Sequence, residues 1–508
     1  MEAEKLDMQV LETSKTVLGP EHPDTLISMA NLASTYRNQG RWTEAEKLEV
    51  LVMETSKAVL GPEHPSTLIS MGNLASTYRN QGRWAEAEKL EMQVMETWKA
   101  VLGPEHPDTL ISMANLASTY RNQGRWAEAE RLSVQVMETR KVVLGPQHPS
   151  TLTSMANLAC TYRNQGRWTE SEKLFVLVME ASKIVFGPEH PDTLVIMANL
   201  ASTYQNQGRW TEAEKLDVQV VETRKTVLGP EHPSTLSSMT NLASTYRNQG
   251  RWAEAEKLFL QVIETSKTVL GPEHPDTLIS MGNLTTTYRY QGRWTEAEKL
   301  SLQVTETSMT VLGPEHPSTL TRMAGLACIY QNQRRWTEAE TLSVQVMETF
   351  RAVFGPEHPD TLASMGNLAS TYRNQGRWTE AEKLELQVME TSKVIHGLEH
   401  PDTLTSMANL ASTYRYQGRW AEAERLFAQV LETRKTVLGP GHPSTLMSMW
   451  NLSHTLKGLR QHAEALSMLQ ACVELQGQRL GPTHPYTVAA TADLKAWEKL
   501  FKHPSIQE

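Results

Sequence analysis

Cysteine is almost missing from this chain: Cys160, Cys328 and Cys472 are the only three in 508 residues. They are too few and too scattered for a disulfide framework, which points to a reducing, cytoplasmic setting. Cys160 and Cys328 stand where other copies of the same segment carry Ser34 or Ser76, so they read as small free side chains. Long apolar runs are missing as well. No stretch nears the roughly eighteen residues of a membrane span, and the start, MEAEKLDMQV, lacks the basic and apolar regions of a secretory signal. There is no block of one charge either. The formal net charge of -9 has both signs interspersed, which argues against a nucleic-acid-binding arm and an acidic disordered tail. Without a Gly-rich phosphate loop, a Ser-His-Asp order or a CxxC, no catalytic residue and no cofactor is expected.

What is present is one pattern repeated. NLASTYRNQGRW, a helix-friendly run and GPEHP recur every forty-two residues. His-Pro falls at His22, His64, His106, His148, His190, His232, His274, His316, His358, His400, His442 and His484 with no insertion or deletion. A fixed period of this length means one supersecondary unit stacked on itself, not a globule around a central core. Such an array offers a long curved surface and favours a binding scaffold over an enzyme.

Residues 24–65 make one unit. Asp24 after Pro23, Asp or Ser in every copy, is expected to cap a first helix. Leu26, Met29, Leu32, Ala33 and Tyr36 recur at three- and four-residue spacing, an amphipathic helix of about four turns that Gly40 ends. A second helix is expected from about Trp42 to Val59, with Ala45, Leu48, Val52 and Val59 on one face, stopped by Gly61-Pro62. Small Ala33 and Ala45 let the helices approach, while Tyr36 and Trp42 are expected to fill the space between them. Strand signals are absent.

The fold class is therefore all-α, a solenoid of antiparallel helix pairs. Its expected divisions are an N-terminal half repeat (1–23, second helix only), ten units over 24–443, a degenerate eleventh unit (444–485) and a C-terminal capping helix and tail (486–508). Leu456, Arg460 and His462 replace Tyr, Gly and Trp in the eleventh unit, as expected of a terminal repeat. Residues His503–Glu508 are expected to fray. Glu2-Ala3-Glu4-Lys5-Leu6 aligns with Glu44-Ala45-Glu46-Lys47-Leu48, which raises the expectation of a longer protein or a late-starting gene model.

The unit resembles the tetratricopeptide repeat in its forty-two-residue variant, the kinesin light chain type. The carriers are Asn31-Leu32-Ala33, Tyr36, Gln39-Gly40-Arg41-Trp42, Glu44-Ala45-Glu46 and Leu60-Gly61-Pro62-Glu63-His64-Pro65. The resemblance implies a right-handed superhelix whose first helices line a concave groove, and a protein or peptide partner. Two departures bear on a motor-adaptor role. No heptad coiled coil is found, and the large residue after Leu48 survives only as Phe175, Phe259 and Phe427. Similar near-identical arrays also look like the sensor halves of NTPase switch proteins related to NOD-like receptors. The alternative is thus a sensor array whose nucleotide domain lies outside this chain.

Projected on a helix, Ile27, Ala30 or Asn31, Ser34 and Arg37 share one face, opposite Leu32 and Tyr36. Asn recurs at Asn31, Asn73, Asn115, Asn157, Asn199, Asn241, Asn283, Asn367, Asn409 and Asn451, with Gly325 the single gap. Asn is a mediocre helix former, so these copies call for a reason. A carboxamide donates and accepts, which suits a peptide backbone of any sequence. A similar ladder holds an extended chain in the array of O-GlcNAc transferase. The competing role is a bond to the neighbouring helix. Beside the asparagines run Arg37, Arg79, Arg121, Arg163, Arg247, Arg289, Arg373 and Arg415, interrupted by Gln205 and Gln331, a stripe that favours acidic peptides.

Four other features are expected to be structural. The histidines, each before Pro, form turns, because zinc ligands must converge within about 2 Å of one ion. No metal site is expected. Glu44 and Glu46, pointing to different helix faces, are expected to be solvated charge. Trp at fixed spacing is expected to fill space between helices. The variable positions of Glu49 and Ser56 are expected on the outer or edge surface.

Overall fold

The computed structural model describes residues 2–502 as twenty-four α-helices joined by short corners. A lone helix, Glu2–Leu18, precedes the pairs Pro23–Asn38 with Trp42–Leu60, Pro65–Asn80 with Trp84–Leu102, and so on to a final helix, Pro485–Lys502. Residues 503–508, the expected frayed tail, lie outside the described residues. Each first helix starts at the proline, which needs no N–H partner at that position. The cap is His22, not Asp24. Its backbone is the last extended residue (φ -68°, ψ 139°), and its Nδ1 accepts a hydrogen bond from the Asp24 backbone N–H at 3.2 Å. Proline decides this by fixing the first helical φ, which leaves the preceding residue as the cap. Thr25 ties the corner to the previous unit by donating to the Gly19 carbonyl at 2.8 Å.

Leu26, Met29 and Leu32 pack with Val52 and with Leu11 of the preceding second helix, while Ala33 and Ala45 are fully buried where the pair approaches. Each such leucine contributes about 1.5–3 kcal/mol by its burial. The second helix turns a different face inward from the expected one. Val59 is exposed, and the buried row is Ala45, Glu49, Val52 and Ser56. The positions expected at the surface are therefore core, occupied elsewhere by fully buried Phe175, Phe259 and Phe427 and by Trp98. Stacking on the next unit's first helix buries a face that one unit alone leaves open. Along most of the array each first helix also touches the next unit's first helix, whereas no second helix comes comparably near the next. The first helices thus form the tight inner wall and the second helices the splayed outer one.

The superhelix comes round onto itself. The His-Pro corner of a unit rests on the Gly-Arg-Trp corner of an earlier one, between successive turns. His274, His316, His358, His400, His442 and His484 each place Nε2 within 2.9–3.4 Å of a backbone carbonyl 236 residues earlier, from Asn38 to Asn248. The imidazoles stack on tryptophans of the turn before: His316 on Trp42 at 5.4 Å between ring centroids, His358 on Trp84 at 5.2 Å, His400 on Trp126 at 5.0 Å. Since Nδ1 accepts from the helix start, Nε2 carries the proton and donates to the carbonyl, so these rings are neutral. Trp holds its own helix pair, where Nε1 of Trp84, Trp126 and Trp168 donates to the carbonyls of Arg79, Arg121 and Arg163, and it also forms one side of a seam between turns.

Candidate binding surface

The seam leaves the inner wall continuous, and the asparagine ladder lies on it. Asn31 and Asn367 are exposed, and the other eight are half-buried. Two ladder carboxamides accept a hydrogen bond from the preceding unit's arginine, Asn199 from Arg163 and Asn283 from Arg247, each at 3.3 Å. The rest form no side-chain hydrogen bond among the described residues, so the ladder is neither sealed between layers nor committed to stacking. The arginine stripe sits beside it, one unit back. Arg37 donates to the Asn73 carbonyl, and Arg79, Arg121, Arg163, Arg247 and Arg373 do the same to the next unit's asparagine at 3.3–3.5 Å. The two rows expected to share a face are therefore in contact.

The buried residue after each second-helix Leu decides how much of that charge remains free. Glu49, Glu91 and Glu385, each about 3% exposed or less, pair with Arg37, Arg79 and Arg373 at 3.0, 3.1 and 2.7 Å. Burial raises these three carboxyls, and the facing arginine opposes the shift. Beside Arg121, Arg163, Arg247, Arg289 and Arg415 the same position is Ser133, Phe175, Phe259, Ser301 and Phe427, so no acid faces them. Burial holds Arg121, Arg247 and Arg415 below the usual arginine range, and the Nε of Arg247 and of Arg289 is buried with no partner. The fifth unit reverses the pairing. Gln205 replaces arginine and faces Asp217, whose carboxylate accepts from Thr245 at 2.6 Å and is pushed up to about 6 by burial. Gln331 has no acid opposite and donates to Thr371 at 2.6 Å.

The second arginine row is committed to pairs within the protein. Arg83 pairs with Glu46 of the preceding unit at 2.6 Å and with Glu86 of its own, and it lies 4.1 Å over the Tyr78 ring, while Gln81 donates to Glu46 at 2.8 Å. This set recurs from Arg41 to Arg419, so Glu44 and Glu46 are not solvated charge as expected but inter-unit and corner ties. Among the described residues no three metal-ligating side chains gather. A cavity of about 1380 Å³ lies in the seam beside Trp168, Trp210 and His442, and one of about 430 Å³ reaches ladder residues Asn409 and Asn451. What the repeat pattern did not reveal is the seam itself. Its one trace in the sequence is that Gly-Arg-Trp and His-Pro hardly vary between copies although both are corners.

Comparison with known families matches the tetratricopeptide repeat over residues 1–50, 30–97, 72–141, 111–175, 161–216, 192–268, 234–308, 319–393, 366–436 and 402–478. No curated protein matches. Among solved structures, the nearly identical TPR-like repeats of a Podosopora anserina protein of the kinesin light chain kind are 35% identical. They cover 41% of this chain and 97% of that one, with a TM-score of 0.36. A second structure of those repeats is 36% identical, covering 41% and 98%, with a TM-score of 0.35. Yeast Tom70 is 12% identical over 95% of this chain and 97% of its own, with a TM-score of 0.44.

Proposed function

Because the chain belongs to the tetratricopeptide repeat family, we propose that it is a scaffold holding an extended acidic peptide along its inner wall. Proteins built from this repeat mediate protein–protein interactions. The observation that carries the finer reading is the uneven neutralisation of the arginine stripe. Arg37, Arg79 and Arg373 spend their charge on buried glutamates, whereas Arg121, Arg163, Arg247 and Arg289 have no acid opposite. A half-buried cation without a counter-charge is costly, and a carboxylate on a ligand relieves that cost. Four of the five free cations form two adjacent pairs separated by the Gln205 unit, with Arg415 set apart beyond Gln331 and the neutralised Arg373, so a ligand with two acidic clusters and a neutral spacer suits the wall. Ladder amides not used within the protein supply donors and acceptors to its backbone.

Peptide-display selection with the full chain as bait should recover such sequences. Replacing Arg121, Arg163, Arg247 and Arg289 by Gln should weaken a recovered peptide by about tenfold or more and flatten its salt dependence. Replacing Arg37 with Glu49, and Arg373 with Glu385, by Gln pairs should leave affinity nearly unchanged. Equal losses in the two sets, read by fluorescence anisotropy, reject the charge reading.

A further inference from the structure

The seam between turns uses two kinds of edge, and each is left without its counterpart at one end of the molecule. In the second turn the histidine side chains are covered: those of His358 and His400 are 5% and 4% exposed. In the first turn, where no turn precedes, those of His22, His106 and His190 are 41%, 38% and 40% exposed. At the opposite end Trp294, Trp336, Trp378 and Trp420 have no aromatic stacked on them among the described residues, and Trp378 is 39% exposed. The space over the neighbouring corner glycines, Gly292, Gly376 and Gly418, is empty, whereas over Gly82, Gly124 and Gly166 a proline of the next turn is packed.

We propose that these two edges dock on each other between copies of this chain, head to tail. The free His-Pro edge of one copy occupies the free Gly-Arg-Trp edge of the next. The same residue types already make that contact within the chain, with imidazole on indole and Nε2–H on a helix-terminal carbonyl, so the second copy continues an existing interface. Because the edges differ, the contact is heterologous, and because a superhelix does not close, it builds an open series. Nothing in this depends on the inner wall.

One corner of the free edge departs from the rest. Arg334 stands where other units have Gly, in the left-handed region at φ 61°. In the formed seam a Cβ at the equivalent glycines would lie 2.3–2.8 Å from a proline Cδ. That corner therefore holds the edges apart, and removing its side chain is a route to gain of association.

Sedimentation velocity and light scattering of the full chain, followed over concentration, test the proposal. The mass should climb in steps of one chain, and Arg334→Gly should lower the midpoint concentration about tenfold. A variant with Trp294, Trp336 and Trp378 changed to Ala, and another with His64, His106 and His148 changed to Asn, which still caps a helix, should each stay monomeric while circular dichroism shows the helical content retained. Mixed in equal amounts they should form heterodimers and nothing larger, because only one intact edge of each kind remains. A monomeric mass for both the parent chain and Arg334→Gly at every concentration overturns the proposal. So do assemblies that persist in both edge variants, or a mixture that stays monomeric.

Discussion

At the residue scale the corner glycines have two separate reasons to be glycine, and the structure separates them. Every one lies at positive φ, where a Cβ costs about 1 kcal/mol or more. Only those under a second turn also meet a proline: a Cβ on Gly124 would be 2.4 Å from Pro359 Cδ, while one on Gly376 has nothing within 4 Å. The chain itself runs the comparison, since the two non-glycine residues at positive φ among the described residues, Arg334 and Arg460, both fall in the uncovered last turn. Gly376→Ala should therefore cost only the backbone penalty. Gly124→Ala should cost clearly more in the denaturation midpoint and should also lengthen the particle in small-angle scattering, as the seam opens.

At the element scale the second helix is the adaptable part of the unit. Its buried row takes Glu49, Trp98, Arg140, Phe175, Ser182 or Asp217 with no change of helix length by more than one residue. Each choice is answered locally: Arg140 and Arg224 donate to the carbonyls of Ser150 and Ser234 at the next helix start, and Arg224 to the Ser238 hydroxyl at 2.6 Å. Asp217 is the poorest fit, because its carboxylate is 2% exposed and faces no cation. Its folded value, about 6, lies above the ordinary 3.8, so the folded state resists the charge and burial costs stability at neutral pH that is regained as pH falls toward 4. Asp217→Asn should raise stability by ~2 kcal/mol at pH 7, measured by chemical denaturation, and the gain should vanish near pH 4.

At the scale of the whole molecule the seam turns a spring-like array into a self-supported one. Its histidines must be neutral, and burial lowers the values of His316, His358, His400, His442 and His484. A depressed folded value means that the seam contributes fully above the unfolded value of about 6.5 and loses its contribution as pH falls through the lowered folded values. Protonation also removes the Nδ1 acceptor that caps the helix. Small-angle scattering should accordingly show the particle lengthening as pH drops below about 6.5. The inter-unit carboxylates Glu4, Glu298 and Glu340 are held below their ordinary value by hydrogen bonds from the next unit's Arg and Gln, so they give way only at lower pH. His358→Asn with His400→Asn should weaken the first step and leave the second.

How much was legible in the sequence follows the range of each interaction. Period, helix pairs, core leucines and corner glycines were readable because they depend on neighbours within one unit or the next, and proline, glycine and three-four spacing mark them directly. Even there the cap went to His22 rather than Asp24, since Pro23 shifts the helix start by two residues. The ladder and stripe were readable as a face, but not the neutralisation of Arg37 by Glu49, which needed the buried side of the second helix. The contact of His316 with Trp42 was beyond any repeat-by-repeat reading. It depends on the small rotation added at each unit, summed over a full superhelical turn, and no local pattern records that sum. The sequence by itself determined the unit and its stacking; the tertiary structure alone decided that distant units meet, which arginines stay unneutralised, and which edges are left uncovered.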